Sequence, residues 1–172
     1  MAPTSIHPSV PAGNAGESKS NEETRAAFES ALIAASEAYR RWLNAAMLTA
    51  GQGGMSNLEI TFLLDLGAAG THLSFARLCD AARIEEQHLA HYALRKMREV
   101  DLVSSRRHGK EKVVFLTDKG VQLYERFNAL RRRVLEGIEP DNQPQTNWDN
   151  VTAALKQVAN DYERARQAAL QW

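Results

Sequence analysis

The chain has 172 residues, of which 44% are hydrophobic and 24% charged, an ordinary composition for a soluble globular protein with one compact domain and some additional length. Its 21 basic and 21 acidic side chains cancel, so the total charge argues against a nucleic-acid binder and only a local concentration of charge could support one. No run approaches the roughly 18–20 uncharged apolar residues of a membrane span, and we expect no secretion signal. The single cysteine, Cys79, excludes an internal disulfide and favours a reducing cytoplasm.

The N-terminal third of the chain predicts a tail followed by a long helix. Residues 1–19 contain three prolines and two glycines and almost no large apolar side chain, so we predict a flexible tail. Ser20 and Glu23 fit a capping box, and a helix is predicted over 20–50. Its apolar residues recur with near 3.6-residue spacing, and they are Phe28, Leu32, Ala35, Tyr39, Leu43, Ala46 and Met47.

Two shorter helices are predicted next. Ser56 and Glu59 fit a second capping box, which begins a helix over about 57–66. Gly67 and Gly70 are predicted to end this helix, because glycine is unfavourable inside a helix. A short helix over 75–82 follows, and its apolar side includes Cys79, which we expect to be a buried, unreactive thiol.

A third helix and a hairpin occupy the middle of the chain. The helix is predicted over about 85–100, with a stripe of apolar residues at Ala90, Ala93, Leu94 and Met97. Two runs of β-forming residues, 102–105 and 112–116, flank a short polar loop that contains Gly109. This pattern is typical of a β-hairpin.

Two more helices are predicted at the C-terminal end. The first runs from Asp118 to about residue 137, and Asp118 lies at its positive end. A linker over 139–146 holds two prolines, and the last helix begins at Thr146 or Asn147. Its apolar stripe is Trp148, Val151, Leu155, Val158, Ala159 and Tyr162. The predicted fold class is therefore mainly α with a small β-hairpin.

The order of these elements, and three segments within them, resemble the winged-helix domain of the MarR family of transcriptional regulators. The segments are Leu78–Ile84, Leu94–Val103 and Phe115–Gly120, and the resemblance covers about residues 56–127. It implies a winged helix-turn-helix region over 51–120. It also implies that the flanking helices, over 20–50 and 121–172, build a homodimer, and that a small-molecule effector binds between the dimer and DNA-binding parts. No cofactor is implied.

The sequence departs from the family pattern in three places. The small apolar position of the recognition helix falls on Leu89 when counted forward from Leu78, and on Ala90 when counted back from Leu102. Both registers stay open at this stage. Asp101 stands where the family has glycine. The wing is short and lacks the acid–arginine pair common in the family.

The residues themselves also favour double-stranded DNA as a partner. A recognition helix over about 85–100 needs polar side chains opposite its apolar stripe to read the major groove. With the stripe at Ala90, the candidates are Gln87, His88, His91, Tyr92 and Arg95. The wing, over about 104–114, is basic, and its candidates for backbone or minor-groove contact are Arg106, Arg107 and Lys110.

Other interpretations stay open beside this one. The neutral total charge, Glu85 and Glu86 also fit a winged-helix interaction module that has lost DNA binding, and a third interpretation is a ligand-responsive sensor. His88 and His91 have no third ligand at suitable spacing, so no metal site is expected. No catalytic motif is present, so we expect no enzyme. The expected dimer interface consists of Phe28, Leu32, Tyr39, Leu43, Trp148, Leu155 and Tyr162.

Overall fold

The computed structural model describes residues 15–109, 111–136 and 147–172, and these residues form six helices and one three-stranded antiparallel sheet. The elements are α1 (Ala15–Thr49), α2 (Asn57–Ala69), β1 (Leu73–Ser74), α3 (Phe75–Ala81), α4 (Gln87–Glu99), β2 (Val103–His108), β3 (Glu111–Leu116), α5 (Asp118–Glu136) and α6 (Trp148–Ala169). This order confirms the predicted mainly α fold with a hairpin. Among the helices described, none is both long and apolar enough to cross a membrane.

Helix α1 begins earlier than the sequence predicts. It starts at Ala15, so Ser20 lies inside the helix, where its carbonyl accepts a hydrogen bond from Thr24 Oγ1 at 2.7 Å. The predicted capping box at Ser20 and Glu23 is therefore wrong. No proline occurs between Pro11 and the end of α1, so nothing in the covalent structure stops the helix at residue 20. Residues 1–14 of the predicted tail lie outside the described residues.

Helix α2 confirms one capping prediction and corrects another. The Ser56–Glu59 capping box is present, with both backbone-to-side-chain hydrogen bonds at 3.3 Å. The helix does not end at Gly67 but continues to Ala69, and Gly70 with a φ of 64° ends it. Gly67 lies against the ring of Tyr124 on α5, and a Cβ there would overlap that ring. The glycine is thus required for close packing rather than for a turn.

The hydrophobic core lies around α2, between the C-terminal part of α1 and helices α3, α4 and the first half of α5. The largest fully buried side chains are Phe62, Phe127, Met47, Ile60, Leu63, Leu66, Leu78, Met97, Leu102 and Leu123. Side chains of this kind, each removed from water, contribute roughly 1.5–3 kcal/mol apiece to folding. The core therefore fixes α4 and the hairpin to the same body as α2.

The hairpin is longer than predicted and is joined by a third strand. Strand β2 pairs with β3 from Val103 to His108, so the arginines expected in the loop lie in the strand itself. The turn that follows β2 includes Gly109, which has a φ of 62°. Strand β1 pairs antiparallel with β3 and was not predicted, because a two-residue strand carries no alternating pattern.

A junction between the end of α4 and the start of α5 satisfies three consecutive backbone carbonyls. Lys119 Nζ donates to the carbonyl of Val100 at 2.7 Å. Thr117 donates twice, from Oγ1 to the carbonyl of Asp101 at 2.6 Å and from its backbone N–H to the carbonyl of Leu102 at 3.1 Å. Asp101 has a φ of 58°, the left-handed conformation that the family's glycine would adopt without strain.

Gly120 allows this junction to close. A Cβ at position 120 would collide with the backbone carbonyl of Leu102, which is not free to move because it accepts a hydrogen bond from the α5 start. We predict that Gly120→Ala lowers the free energy of unfolding by more than about 2 kcal/mol, the upper part of the range for overpacking. Urea denaturation monitored by circular dichroism measures this.

The matched control is Gly53→Ala, because the added Cβ would meet only the flexible end of the Leu48 side chain. Its free energy of unfolding should change by less than about 1 kcal/mol. A Gly120→Ala variant as stable as the Gly53→Ala variant would show that the junction is not tightly packed.

The environment of Asp65 on α2 can be tested by measuring how the stability of the protein depends on pH. One carboxylate oxygen, Oδ2, is buried without a hydrogen-bond partner, and desolvation raises the pKa of this side chain above 3.8. A group whose pKa is higher in the folded than in the unfolded protein stabilises the fold at pH values below its unfolded pKa. This contribution is lost as the pH rises through the folded pKa. Asp65→Asn, which is always neutral, should therefore be more stable than the wild type at pH 7.

The gain from Asp65→Asn should shrink as the pH falls from above the folded pKa toward 3.8. Urea titrations of both proteins at several pH values measure the difference directly. A variant that is less stable than the wild type at pH 7 would mean that the carboxylate has a favourable partner.

Candidate nucleic-acid interface

The burial pattern of α4 settles the register of its exposed face. Ala90 is fully buried at 0% exposure, together with Ala93, Leu94 and Met97, whereas Leu89 is 45% exposed. The small apolar position of the helix is therefore Ala90, as counting back from Leu102 indicates. This register directs the opposite face of α4 away from the core.

A buried ion pair holds α4 in place. Lys96 Nζ lies 3.2 Å from Oε1 of Glu59, whose side chain is 6% exposed. The other carboxylate oxygen of Glu59 accepts the Ser56 backbone N–H in the capping box. One carboxylate thus joins the start of α2 to the middle of α4, and loss of Lys96 would leave the buried Glu59 charge without its cation.

The exposed face of α4 carries all the predicted major-groove residues, which are Gln87, His88, His91, Tyr92 and Arg95. Arg95 has two neighbours on this face. Its Cζ lies 5.1 Å from the centre of the Tyr92 ring, and its Nε lies 3.8 Å from Oε1 of Glu99. The cation–π contact orients the guanidinium along the helix surface. The Glu99 carboxylate neutralises part of its charge.

The two histidines of α4 are held differently. The ring of His91 stacks on Phe75 of α3, with ring centres 4.2 Å apart and an angle of 12° between the planes. The ring of His88 extends toward Glu86, with Nε2 3.3 Å from Oε2. His91 is therefore part of the α3–α4 contact, while His88 lies at the exposed start of the helix.

Leu89 is an exposed residue of this face that the sequence prediction missed. It lies three positions before Tyr92, so the two side chains share one side of the helix. An exposed aliphatic side chain is suited to apolar contact, such as that with the methyl group of thymine in a DNA groove. The sequence did hint at its exposure, because the two possible registers placed either Leu89 or Ala90 in the core, and only one of the two could be buried.

The wing presents its arginines on opposite faces of β2. Arg106 lies over the ring of Phe115 on β3, with Cζ 5.4 Å from the ring centre. Arg107, the next residue along the strand, points to the other face and is exposed. Lys110 lies outside the described residues. The described part of the wing therefore offers two separately placed guanidinium groups.

A cavity of about 440 Å³ opens beside the wing, between the end of α2, the sheet and the first half of α5. Its lining combines aromatic rings with charged side chains, including His72, Arg106, Phe115, Tyr124 and Glu125. Its size falls within the range of small-molecule sites.

Cys79 is a buried core residue. Burial raises the pKa of its thiol, and the negative charge of Asp80 raises it further. A raised pKa disfavours the thiolate, which is the reactive form, so the thiol is unreactive at neutral pH. The described residues contain no group of three or more histidine, cysteine, aspartate or glutamate side chains placed to hold a metal ion.

The residues expected at a dimer interface divide into two sets. Phe28 and Tyr39 on α1 are exposed and Leu32 is half-buried, but Leu43 is buried in the core of its own chain and corrects the expected list. Helix α6 has no buried residue, and its exposed apolar side chains include Trp148, Leu155 and Tyr162. Both helices therefore present apolar side chains to solvent.

Residues 55–120 match the family model of the winged helix DNA-binding domain, which confirms the winged-helix prediction. The structure of MarR from Staphylococcus aureus in complex with salicylate and kanamycin is similar, with a TM-score of 0.66 and 16% sequence identity over 84% of this chain and 96% of that chain. A mutant MarR from E. coli complexed with operator DNA has a TM-score of 0.61 and 14% identity over 76% of this chain and 92% of that chain.

NadR in complex with 4-hydroxyphenylacetate is also similar, with a TM-score of 0.56 and 19% identity over 94% of this chain and 97% of that chain. No curated protein matches the chain in sequence. At these identities the structural likeness concerns the fold, and it extends to the helices on both sides of the winged helix domain.

Proposed function

We propose that this chain is a regulator of the MarR family that binds duplex DNA as a homodimer and thereby controls transcription. The observation that supports this most strongly is the face of α4, where five predicted groove-reading side chains are exposed opposite a buried apolar stripe. The winged helix match over residues 55–120 supports this assignment, since the second helix of a helix-turn-helix reads the major groove in known complexes.

Base recognition is assigned to α4. Arg95 can donate two hydrogen bonds to guanine, and Gln87 can pair with adenine. On binding, the guanidinium of Arg95 leaves Glu99, which lies 3.8 Å away at the weak limit of an ion pair. The Tyr92 ring stays beneath it and keeps it pointed along the groove. Leu89 adds an apolar contact for a thymine methyl group.

Backbone contact is assigned to the wing. Arg107 is exposed on the face of the sheet away from the Arg106–Phe115 contact, so its guanidinium is free of that ring and available to phosphate. The neutral total charge does not prevent this, because acidic residues such as Glu59 form ion pairs within the domain. Binding is therefore expected to depend on local cations and to weaken as the salt concentration rises, in proportion to the number of phosphates contacted.

A pair of variants separates these two roles. Arg95→Ala should weaken binding to the preferred sequence by about 1–3 kcal/mol and leave non-specific binding nearly unchanged. Arg107→Ala should weaken binding to all sequences alike and reduce the salt slope by about one. Fluorescence anisotropy with the preferred and a scrambled duplex measures both. An Arg95→Ala variant that loses affinity equally for both duplexes would contradict base reading by this residue.

The homodimer is supported by the exposed apolar side chains of α6, which include Trp148 and Leu155. A helix with no buried residue gains little stability from its own chain, and a two-fold interface would cover the same stripe in both copies. Leu155→Glu places a charge in that stripe and should convert the dimer to monomer in analytical ultracentrifugation. Lys156→Glu, one position along the same helix, should remain dimeric. A dimeric Leu155→Glu variant would exclude this stripe from the interface.

Regulation by a small molecule is a second proposal, favoured by the cavity beside the wing. Arg106 and His72 bring cationic or polar groups next to the rings of Phe115 and Tyr124, a combination that suits an aromatic carboxylate. Salicylate and 4-hydroxyphenylacetate, which accompany two of the similar structures, belong to that class. Salicylate should raise the melting temperature of the wild type and not of Arg106→Ala. An equal shift in both would place the ligand elsewhere.

A further inference from the structure

We propose that His72 and His108 form a two-histidine site for a divalent transition-metal ion such as zinc. The two imidazole rings lie 5.3 Å apart, centre to centre, with an angle of 43° between their planes. His72 precedes β1, in the segment between α2 and α3, whereas His108 is the last residue of β2 at the tip of the wing. A shared ion would therefore tie the wing tip to the body of the domain.

The distance between the rings fits a shared ion. Because a zinc–imidazole bond is about 2.0–2.1 Å long, two imidazoles on one tetrahedral ion have ring centres roughly 5 Å apart. The 5.3 Å separation of His72 and His108 agrees with this value. Binding one ion requires side-chain torsions that direct one nitrogen of each ring at a common point.

The ring of His72 is already oriented by a neighbour. Thr71 Oγ1 lies 3.2 Å from His72 Nδ1, so a proton on Nδ1 can be shared with the hydroxyl. This arrangement leaves the lone pair of Nε2 free to bind a metal. Hydrogen bonding of the second ring nitrogen is the usual way in which proteins orient a ligating histidine.

The charges around the pair set the expected strength of the site. Glu111 pairs with His108 across the hairpin, so its carboxylate lies on the same face of the sheet and favours a cation. Arg106 lies on that face too and opposes one, but its guanidinium is positioned over the Phe115 ring. Among the residues described, no third ligand is in place, so water completes the coordination and binding is weaker than at a structural zinc site.

Metal binding would alter the wing. His108 is the last residue of β2, next to the turn of the hairpin, and it is exposed rather than packed against the core. An ion shared with His72 restricts its movement and fixes Arg107, the adjacent residue of the strand. This last consequence rests on the proposed DNA binding, whereas the metal site itself does not.

Isothermal titration calorimetry with zinc chloride on the full chain tests the site. The wild type should bind one ion per chain, and His72→Gln and His108→Gln should each weaken binding by at least about tenfold, the loss expected when one ligand is removed. His88→Gln is the matched control and should bind as the wild type does. Equal zinc affinity in His72→Gln, His108→Gln and the wild type would overturn the proposal, as would a loss confined to His88→Gln.

Two further measurements complete the test. Saturating zinc should raise the melting temperature of the wild type and of His88→Gln but not of the two site variants, which separates a site from general weak binding. Zinc should then change the affinity of the wild type for its DNA and leave that of His108→Gln unchanged. If zinc binds as predicted and no variant or wild type binds DNA, the metal site stands and the proposed function fails.

Discussion

The backbone carbonyl groups of Val100, Asp101 and Leu102, just past the end of α4, have no hydrogen-bond partner within that helix. All three accept hydrogen bonds from Thr117 and Lys119, where α5 begins. This junction joins four elements, because α4 ends there, β2 begins there, and β3 passes into α5 through Thr117. The proposed DNA binding requires α4 and the hairpin to act on one duplex, and this is possible only if their relative orientation is fixed. The close approach at Gly120 supplies that constraint.

A second fixed point lies at the other end of the domain, in the carboxylate of Glu59. It caps α2, pairs with Lys96 and is removed from solvent, so α4 is held near its middle as well as at its end. The exposed side of α4 is then free for recognition. Arg95, Tyr92 and Glu99 form a surface arrangement that orients the guanidinium, and in the proposed complex with DNA this order would lower the entropy lost on binding.

Most of the fold could be predicted from the sequence because the helices carry strong local signals. The Ser56–Glu59 capping box, the apolar stripe of α4 and the Asn147 cap of α6 act within a few residues of the chain. The features that were missed depend on distant partners. Gly67 continues α2 because Tyr124 packs against it, and Leu43 is buried because α2 and its neighbours cover it. Neither contact is visible in the local sequence pattern.

The candidate site was predictable in composition but not in arrangement. The polar residues of α4 were identified from their spacing, yet the stacking of His91 on Phe75 and the burial that separates Ala90 from Leu89 follow from tertiary packing. The arginines of the wing were expected in a loop and lie in a strand, because a polar run without alternation does not indicate pairing. The pairing of His72 with His108 brings together residues from separate elements and had no local signal.

The central claim is that this winged helix binds duplex DNA with sequence preference. Fluorescence anisotropy with DNA fragments from around the chain's own gene, at a low and a higher salt concentration, tests it most directly. The account predicts tight binding to one fragment and a steep loss of affinity with salt, since the contacts include phosphates. A folded dimer that binds none of these fragments at low salt would contradict it and favour a winged-helix module for protein interaction.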